Sequence, residues 1–347
     1  MDSRRLLRAG GLGLWLWRAA AVLAALLLTA AMLRVLGRAP SEALCLADRQ
    51  ALCSPAKWAM ILTAWAPLLL CSAGLLVTFT AGLWNIGVEG QVLMGAVWAT
   101  AVMRVFDGIL PPPFVLLFAA AAGVAGGAGW GVLAGALKVH GKVHEIFGGL
   151  GLNFVAGAGV LYLVFGPWRR PGIASTSGTE PFAESLWLPA FRDFSVSPIE
   201  VALALAGLLA VAFLLRGSYF GLRLKAVGRN VEAARLLGVS TGTHVLAAFA
   251  LCGALAGLAG WLLVAGAGSR HNLYPLISGG YGFQGILVVL VASFSAFWCA
   301  PVALFFAALA MGSYHLDSAL AGVIQGLLVL SLLAVSGLRE RWRRAEA

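Results

Sequence analysis

The chain is organised as long apolar runs separated by short polar stretches. Each run is apolar at nearly every position for roughly twenty residues, the length of a transmembrane α-helix. Strands of a transmembrane barrel would instead alternate apolar and polar side chains over about ten residues. The runs cover residues 19–36, 58–80, 84–106, 113–137, 146–166, 199–215, 244–267, 283–311 and 316–336. This pattern predicts an all-α fold, a polytopic membrane helical bundle.

Composition supports a single integral membrane domain over residues 1–347. Hydrophobic residues make up 61% of the chain and charged residues only 11%, which is unlike a soluble domain. The chain also contains 44 glycines. Small residues let helix backbones approach closely in lipid, where no hydrophobic effect drives helices together.

The distribution of positive charge predicts the orientation of the bundle. The net charge of +10 could indicate nucleic-acid binding, but Lys and Arg sit in short polar segments, and such segments are typically cytoplasmic. The basic segments are residues 1–18, 138–145, 216–243 and 337–347. We therefore expect a multi-pass protein of a bacterial-type inner membrane, with both termini cytoplasmic and no nucleic-acid partner. Residues 37–57 and 167–198 are then extracytoplasmic loops.

The number of crossings must be even if both termini lie on one side, and the chain has nine runs. One run must therefore contain an extra element. The run 283–311 is the best candidate because Ser293 and Ser295 interrupt it and Pro301 follows. We predict a short broken or re-entrant helix there and about nine to ten transmembrane helices in all. A cleaved signal peptide is the alternative for the first run, but LTAAML is a poor cleavage site, which favours a retained helix.

Several polar side chains fall inside the apolar runs. An intramembrane carboxylate costs about 2.5–3.5 kcal/mol at a helix centre, so Glu89 must face protein or water. Asn85 precedes Glu89 by four residues, which would place both on one helical face. Glu145 and Asn153 form a similar pair. These groups either clamp helices together or line a substrate route, and the sequence leaves both interpretations open.

A weak internal sequence similarity adds a further candidate to this set. GVEGQ at 87–91 resembles GFQGI at 282–286, and each opens an apolar helix. Paired Gly-interrupted segments in corresponding halves are typical of transporter binding sites. This similarity adds Gln284 to Asn85, Glu89 and Asn153 as translocation-path candidates.

The chain shows no motif for catalysis, metal binding or a cofactor. It contains no HExxH and no GxSxG sequence, and its histidines lack partners at metal-ligand spacing. GALKVHGKV at 135–143 has the wrong spacing for a phosphate loop and ends in valine where Ser or Thr would hold magnesium. The sequence thus predicts a protein that is not an enzyme. Cys45 and Cys53 share a polar loop, where a disulfide and two free thiols are both open.

The basic segment 223–240 predicts a short amphipathic helix. Asn230 is a good N-cap, and Gly238 is a typical helix stop. The helix contains EAARLLG, which resembles the coupling loop by which ABC importer permeases dock onto their ATPase subunits. The residues that match or flank it are Gly228, Asn230, Glu232, Ala233, Ala234 and Gly238.

Longer stretches extend this resemblance over residues 81 to 310. LRLKAVGRNVEAARLLGVS followed by ALCGALAGLAG resembles permeases of the branched-chain amino acid, ribose and nucleoside importer group. AGLWNIGVEGQVLMGA, KVHGKVHEIFGGLGLNF and GYGFQGILVVLV are most similar to its nucleoside and simple-sugar branch. The motifs occur in collinear order, which makes the set specific.

The resemblance implies a permease subunit of an ATP-driven importer for a small polar solute. Its expected partners are cytoplasmic ATP-binding subunits, a second permease that is more often a paralogue than a copy, and an extracytoplasmic substrate-binding protein. The alternative is a proton- or sodium-coupled secondary transporter that uses Glu89 or Glu145 for coupling. The chain departs from the branch at Ser295-Ala296, where Asn-Pro is usual, and at His144, where Asn is common. The first departure leaves the geometry of the helix break open, and the second leaves the substrate open.

Overall fold

The computed structural model describes residues 55–172, 178–190 and 196–312, together with the single residues 34 and 326. Within these ranges every regular element is helical, which confirms the predicted all-α membrane bundle. The α-helices are α1 (Pro55–Thr80), α2 (Val88–Phe106), α3 (Pro112–Val139), α4 (Glu145–Phe165), α5 (Pro198–Gly217), α6 (Tyr219–Arg229), α7 (Val231–Leu236), α8 (Thr241–Ala265), α9 (Tyr281–Val291) and α10 (Ala296–Gly312). A 3-10 turn covers Glu184–Leu186.

Five of these helices are long and apolar enough to cross a membrane: α1, α3, α4, α5 and α8. The predicted total of nine to ten crossings stays a prediction, because the runs 19–36 and 316–336 lie almost wholly outside the described residues. The predicted terminal segments and the Cys45 and Cys53 pair lie outside them as well.

The described helices belong almost entirely to one compact unit, residues 58–307. The second unit comprises residues 1–57 and 308–347, of which the structure describes only 34, 55–57, 308–312 and 326. The account below concerns the first unit.

Glycines bring α2, α3 and α8 into close backbone contact at the centre of the bundle. A methyl group on Gly257 of α8 would collide with the carbonyl oxygen of Gly123, and one on Gly127 would collide with that of Gly253. Gly95 of α2 lies equally close to Gly257. Such contacts increase van der Waals packing where lipid offers no hydrophobic driving force. The glycine-rich composition therefore has its expected packing role.

The bundle has a buried centre and an apolar outer surface. In α1, Leu68, Leu69 and Leu70 are fully buried. By contrast, Phe154 of α4 and Phe213 of α5 are each 72% exposed. Large apolar side chains with this exposure, on helices of membrane-spanning length, are typical of a surface that faces lipid.

The run 283–311 is divided, as predicted. Helix α9 ends at Val291 and α10 begins at Ala296. Ser293 and Phe294 between them have positive φ angles of 51° and 58°, which no helix can continue through. The turn contacts the end of α1, since the ring of Phe294 packs edge-on against that of Phe79 at 5.6 Å.

A cap covers one end of the bundle, where residues 178–190 bind the loop after α8. The N–H of Thr179 donates to the Leu273 carbonyl at 2.8 Å, and the N–H of Phe182 donates to the His271 carbonyl at 2.9 Å. The imidazole of His271 stacks on the indole of Trp187, with ring centroids 3.8 Å apart. Burial lowers the pKa of His271 to about 4, so the ring is neutral at pH 7.

Candidate functional site

Glu89 lies in the first turn of α2 and joins that helix to the start of α9. One carboxylate oxygen accepts a hydrogen bond from the N–H of Gly280 at 3.2 Å, and the other accepts from Gly282 at 2.9 Å. The first N–H groups of a helix have no partner within it and attract negative charge. The Glu89 side chain is only 7% exposed, and its carboxylate is stabilised by backbone N–H groups. This geometry is that of a structural clamp.

The glycine at position 282 makes the clamp sterically feasible. A β-carbon on Gly282 would lie 2.6 Å from a carboxylate oxygen of Glu89 and 2.7 Å from its backbone nitrogen. Gly280, which caps α9, has a φ of 76° that L-amino acids with side chains rarely adopt. Gly280 and Gly282 of the GGYG sequence at 279–282 therefore both serve the contact with Glu89.

Asn153 attaches α4 to the same turn of α2. Its side-chain nitrogen donates to the carbonyl of Ile86 at 2.9 Å, and its side-chain oxygen accepts from the N–H of Gly90 at 2.8 Å. The backbones of Gly87 and Gly149 also lie in close contact. Asn153 thus binds the backbone that surrounds Glu89, which the sequence did not reveal.

Asn85 does not share a helical face with Glu89, so that expectation was wrong. Helix α2 begins at Val88, and Asn85 lies in the turn that precedes it. Its side-chain nitrogen donates to the oxygen of Gln91 at 3.2 Å and to the sulfur of Cys252 at 3.1 Å. Asn85 and Gln91 are 1% and 0% exposed, which makes them a buried pair. Sequence reasoning missed both partners.

Glu145 and Asn153 are also not partners. Glu145 forms an ion pair with Lys138 at 2.6 Å, across the turn between α3 and α4. Its position at the start of α4 agrees with a membrane boundary, where a paired charge is ordinary.

Two buried polar atoms near this site have no hydrogen-bond partner among the described residues. They are the side-chain oxygen of Gln284 and the indole nitrogen of Trp130. A β-carbon on Gly90 would lie 3.0 Å from that nitrogen and 2.9 Å from the Asn153 oxygen, so Trp130 lies directly beside the first turn of α2. Unsatisfied buried donors and acceptors are unfavourable unless a ligand or water pairs with them. Gln284 is one of the translocation-path candidates named from the sequence, and Trp130 is not.

The predicted helix from Asn230 to Gly238 is present as α7 with its caps. The Asn230 side chain accepts a hydrogen bond from the N–H of Ala233 at 3.0 Å. At the other end Gly238 has a φ of 77°, and its N–H and that of Val239 each donate to carbonyls of the last turn at 3.0 Å. This is a Schellman motif, which explains why glycine occupies position 238.

Helix α7 and its C-cap residue expose two leucines. Leu236 is 89% exposed and Leu237 is 79% exposed, whereas Ala234 packs inward at 2%. Glu232 and Arg235 form an exposed ion pair at 3.4 Å beside them. An apolar pair next to charges, on a short capped helix, is typical of a docking surface. Both leucines belong to the EAARLLG sequence.

Helix α6 contacts the turn that leads to Asn85 and Glu89. A methyl group on Gly228 would collide with the carbonyl oxygen of Thr80 at the end of α1. Gly82, whose φ is 73°, lies against Gly228 from the other side of the contact. The segment that carries α7 is therefore in backbone contact with the segment that carries the buried polar residues.

The described residues contain no group of three or more His, Cys, Asp or Glu that could hold a metal ion. The arrangement is one of hydrogen-bonding groups inside a membrane bundle, with a capped helix at one end.

Residues 58–333 match the family model described as the permease component of branched-chain amino acid transport systems. The chain belongs to this family. It is thus a permease of the ABC transporter class and not an ion-coupled secondary transporter, and the predicted family resemblance is confirmed.

Permeases named for individual substrates are similar to most of the chain. A glucose ABC transporter permease of Haloferax volcanii is 32% identical over 79% of this chain and 75% of its own length. A guanosine ABC transporter permease of Bacillus subtilis is 32% identical over 66% of each chain. A galactofuranose transporter permease of Escherichia coli is 30% identical over 59% of this chain and 55% of its own length.

Proposed function

We propose that this permease is the membrane subunit of an ATP-driven importer for a neutral polar solute, either a nucleoside or a simple sugar. Similar permeases are named for glucose, guanosine and galactofuranose, all rich in hydroxyl groups. The side chains around Glu89 include amides and an indole, which suit hydroxyl and amide partners.

The charge around Glu89 favours a neutral solute. Its carboxylate is bound by two backbone N–H groups, and these groups are therefore not available to an anionic substrate. A buried negative charge also repels anions from its surroundings. Nucleosides and simple sugars carry no charge at pH 7, so they neither need these N–H groups for charge neutralisation nor are repelled by the carboxylate.

The four predicted path residues divide into two roles under this proposal. Asn85, Glu89 and Asn153 shape the path by holding the backbone around residues 85–91, since each already has partners in the protein. Gln284 contacts the solute together with Trp130, which is not one of the four, because the side-chain oxygen of Gln284 and the indole N–H of Trp130 are unsatisfied among the described residues.

The ATP-binding subunit docks on α7 in this proposal, with Leu236 and Leu237 in a groove of the partner and Asn230, Glu232, Ala233, Ala234 and Gly238 setting the shape of the helix. Helix-in-groove docking uses apolar side chains of this kind. The chain supplies no phosphate loop, so the partner hydrolyses ATP. The end of the bundle that carries α7 is cytoplasmic, together with both termini, in the inner membrane.

Closure of the ATP-binding subunits would be transmitted to the buried polar residues through the contact at Gly228. This glycine touches the Thr80–Gly82 turn, and that turn leads directly into Asn85 and Glu89. A displacement of α7 and α6 therefore moves the start of α2, which is the bistable rocking expected of a transporter. A paralogous second permease and an extracytoplasmic binding protein complete the assembly.

The substrate assignment is tested by uptake of radiolabelled guanosine, glucose and a nucleoside monophosphate in cells that express the complete transporter. We expect uptake of a neutral solute and none of the monophosphate. Trp130→Phe should raise the KM for that solute, whereas Trp98→Phe should not, because Trp98 lies on the exposed face of α2 at 54% exposure. Uptake of the monophosphate, or an unchanged KM in Trp130→Phe, would contradict the proposal.

A further inference from the structure

Helix α6 presents an exposed face that combines apolar and basic side chains. Gly221, Leu224 and Val227 face the protein. On the opposite side Tyr219 is 85% exposed and Leu222 is 63% exposed. At 100° per residue, Arg223 and Arg229 flank this apolar strip on either side. An amphipathic helix with cations bordering an apolar strip is typical of a helix lying in a membrane interface.

Helix α6 follows directly after α5, which has an exposed apolar side of its own. Leu209 and Phe213 of α5 are 66% and 72% exposed, and Arg216 follows one turn later. Ser218 separates the two helices and caps α6, since its hydroxyl accepts from the N–H of Gly221 at 3.0 Å. Helix α6 therefore begins where the membrane-spanning surface of α5 ends. An arginine at that boundary can extend its head towards the polar side of the bilayer.

The surface carries unbalanced positive charge. Between Glu200 and Glu232 the chain has four cations, Arg216, Arg223, Lys225 and Arg229, and no carboxylate. The Lys225 ammonium donates to the Leu215 carbonyl at 2.5 Å, which leaves the three guanidinium groups. None of the three makes an ion pair within the described ranges.

Among the residues that the structure describes, the other carboxylates at this end are engaged by other cations. Gly242 at the start of α8 lies beside Val139 at the end of α3, so the α3–α4 turn is at the same end of the bundle as α6 and α7. Of the carboxylates there, Glu145 pairs with Lys138 and Glu232 pairs with Arg235. The charge on α6 is therefore free to attract an external anion.

We propose that α6 is an interfacial helix: its Arg223 and Arg229, together with Arg216 at the end of α5, bind the phosphate groups of anionic phospholipids while Tyr219 and Leu222 insert among the acyl chains. Guanidinium groups match phosphate geometry with paired hydrogen bonds. Juxtamembrane basic clusters are attracted to anionic bilayers. The continuity with α5 favours lipid over a protein partner as occupant. The proposal rests on membrane insertion alone and does not depend on the solute or on ATP.

Lipid retention by the purified full-length chain tests the proposal. The protein is equilibrated in detergent with equal amounts of phosphatidylglycerol and phosphatidylcholine, re-purified, and its bound lipids are counted by native mass spectrometry. We expect a several-fold enrichment of phosphatidylglycerol that weakens with salt. Arg216→Gln/Arg223→Gln/Arg229→Gln should abolish the enrichment.

A matched control removes three arginines from the opposite end, Arg104→Gln/Arg169→Gln/Arg170→Gln, where Arg104 lies over the ring of Trp168. This control should keep the enrichment. Enrichment that persists in the α6 variant, or that is lost equally in the control, overturns the proposal. Loss of bound phosphatidylglycerol when purified ATP-binding subunit is added to the wild type would assign the face to that subunit and overturn it as well.

Discussion

The carboxylate of Glu89 accepts a hydrogen bond from the N–H of Gly282 at 2.9 Å, although the two residues are 193 positions apart in the chain. Together with the second hydrogen bond, from Gly280, this contact explains how a carboxylate can be buried inside an apolar bundle. Its negative charge meets the unpaired N–H groups at the start of α9. The broken helix is thereby fixed to the first turn of α2.

Replacing Glu89 with glutamine should weaken this clamp. The amide keeps one acceptor oxygen but loses the charge, and hydrogen bonds to charged groups contribute about 1.5–3 kcal/mol each. We expect normal membrane insertion and a clearly lower Tm in detergent. Glu180→Gln, at an exposed position in the cap, is the control and should leave Tm unchanged. An unchanged Tm in Glu89→Gln with altered transport would instead favour a solute-facing carboxylate.

The Gly282→Ala variant should be destabilised more than a glycine replacement in open space. Its β-carbon would lie 2.6 Å from the Glu89 carboxylate and must displace either α9 or α2. Gly157→Ala in α4 has no atom within 4 Å of the new carbon and should be neutral or slightly stabilising, since alanine is the better helix former. Thermal unfolding of both variants measures the difference. Equal Tm values would show that the close approach at Gly282 is unimportant.

Gly228→Ala should impair transport at the step that couples it to ATP. The added methyl collides with the Thr80 carbonyl and so changes the contact between α6 and the turn before Asn85. We expect the complex to assemble and hydrolyse ATP while uptake per ATP falls several-fold. Gly129→Ala, which meets no atom within 4 Å, is the matched control. Wild-type uptake per ATP in Gly228→Ala would exclude this contact as the route of coupling.

The cap should lose stability in acid. The pKa of His271 is about 4 in the folded protein and about 6.5 when unfolded, so the unfolded chain binds more protons between these values. Stability therefore falls as pH decreases from about 6.5 to 4. His271→Phe retains an aromatic ring on Trp187 but cannot titrate, so its Tm should fall less than that of the wild type over this range. Identical pH profiles of Tm would refute a buried neutral imidazole.

Local patterns in the sequence predicted local structure well. Asn230 and Gly238 bound α7 as expected because caps depend on a few adjacent residues. The break after α9 was predicted from Ser293 and Ser295, and the structure shows it as positive φ angles at Ser293 and Phe294.

Contacts between distant segments could not be predicted. Glu89 was recognised as a costly charge, but its partners lie 191 and 193 positions away. The Asn85 error arose because the apolar run was taken as one helix from residue 84, whereas residues 83–87 are not helical and the helix begins at Val88. Trp130 was missed because only the packing of α3 on α2 shows that its N–H is unsatisfied.

The most direct test of the proposed importer is affinity purification of the tagged chain from gently solubilised membranes, with identification of the co-purifying proteins and an assay of ATP hydrolysis. We expect an ATP-binding subunit and ATPase activity, both lost in Leu236→Ser/Leu237→Ser. Leu276→Ser, an 86% exposed leucine in the loop before α9, should retain both. Purification of the wild type without an ATP-binding subunit, or its full retention by the α7 variant, would contradict the account.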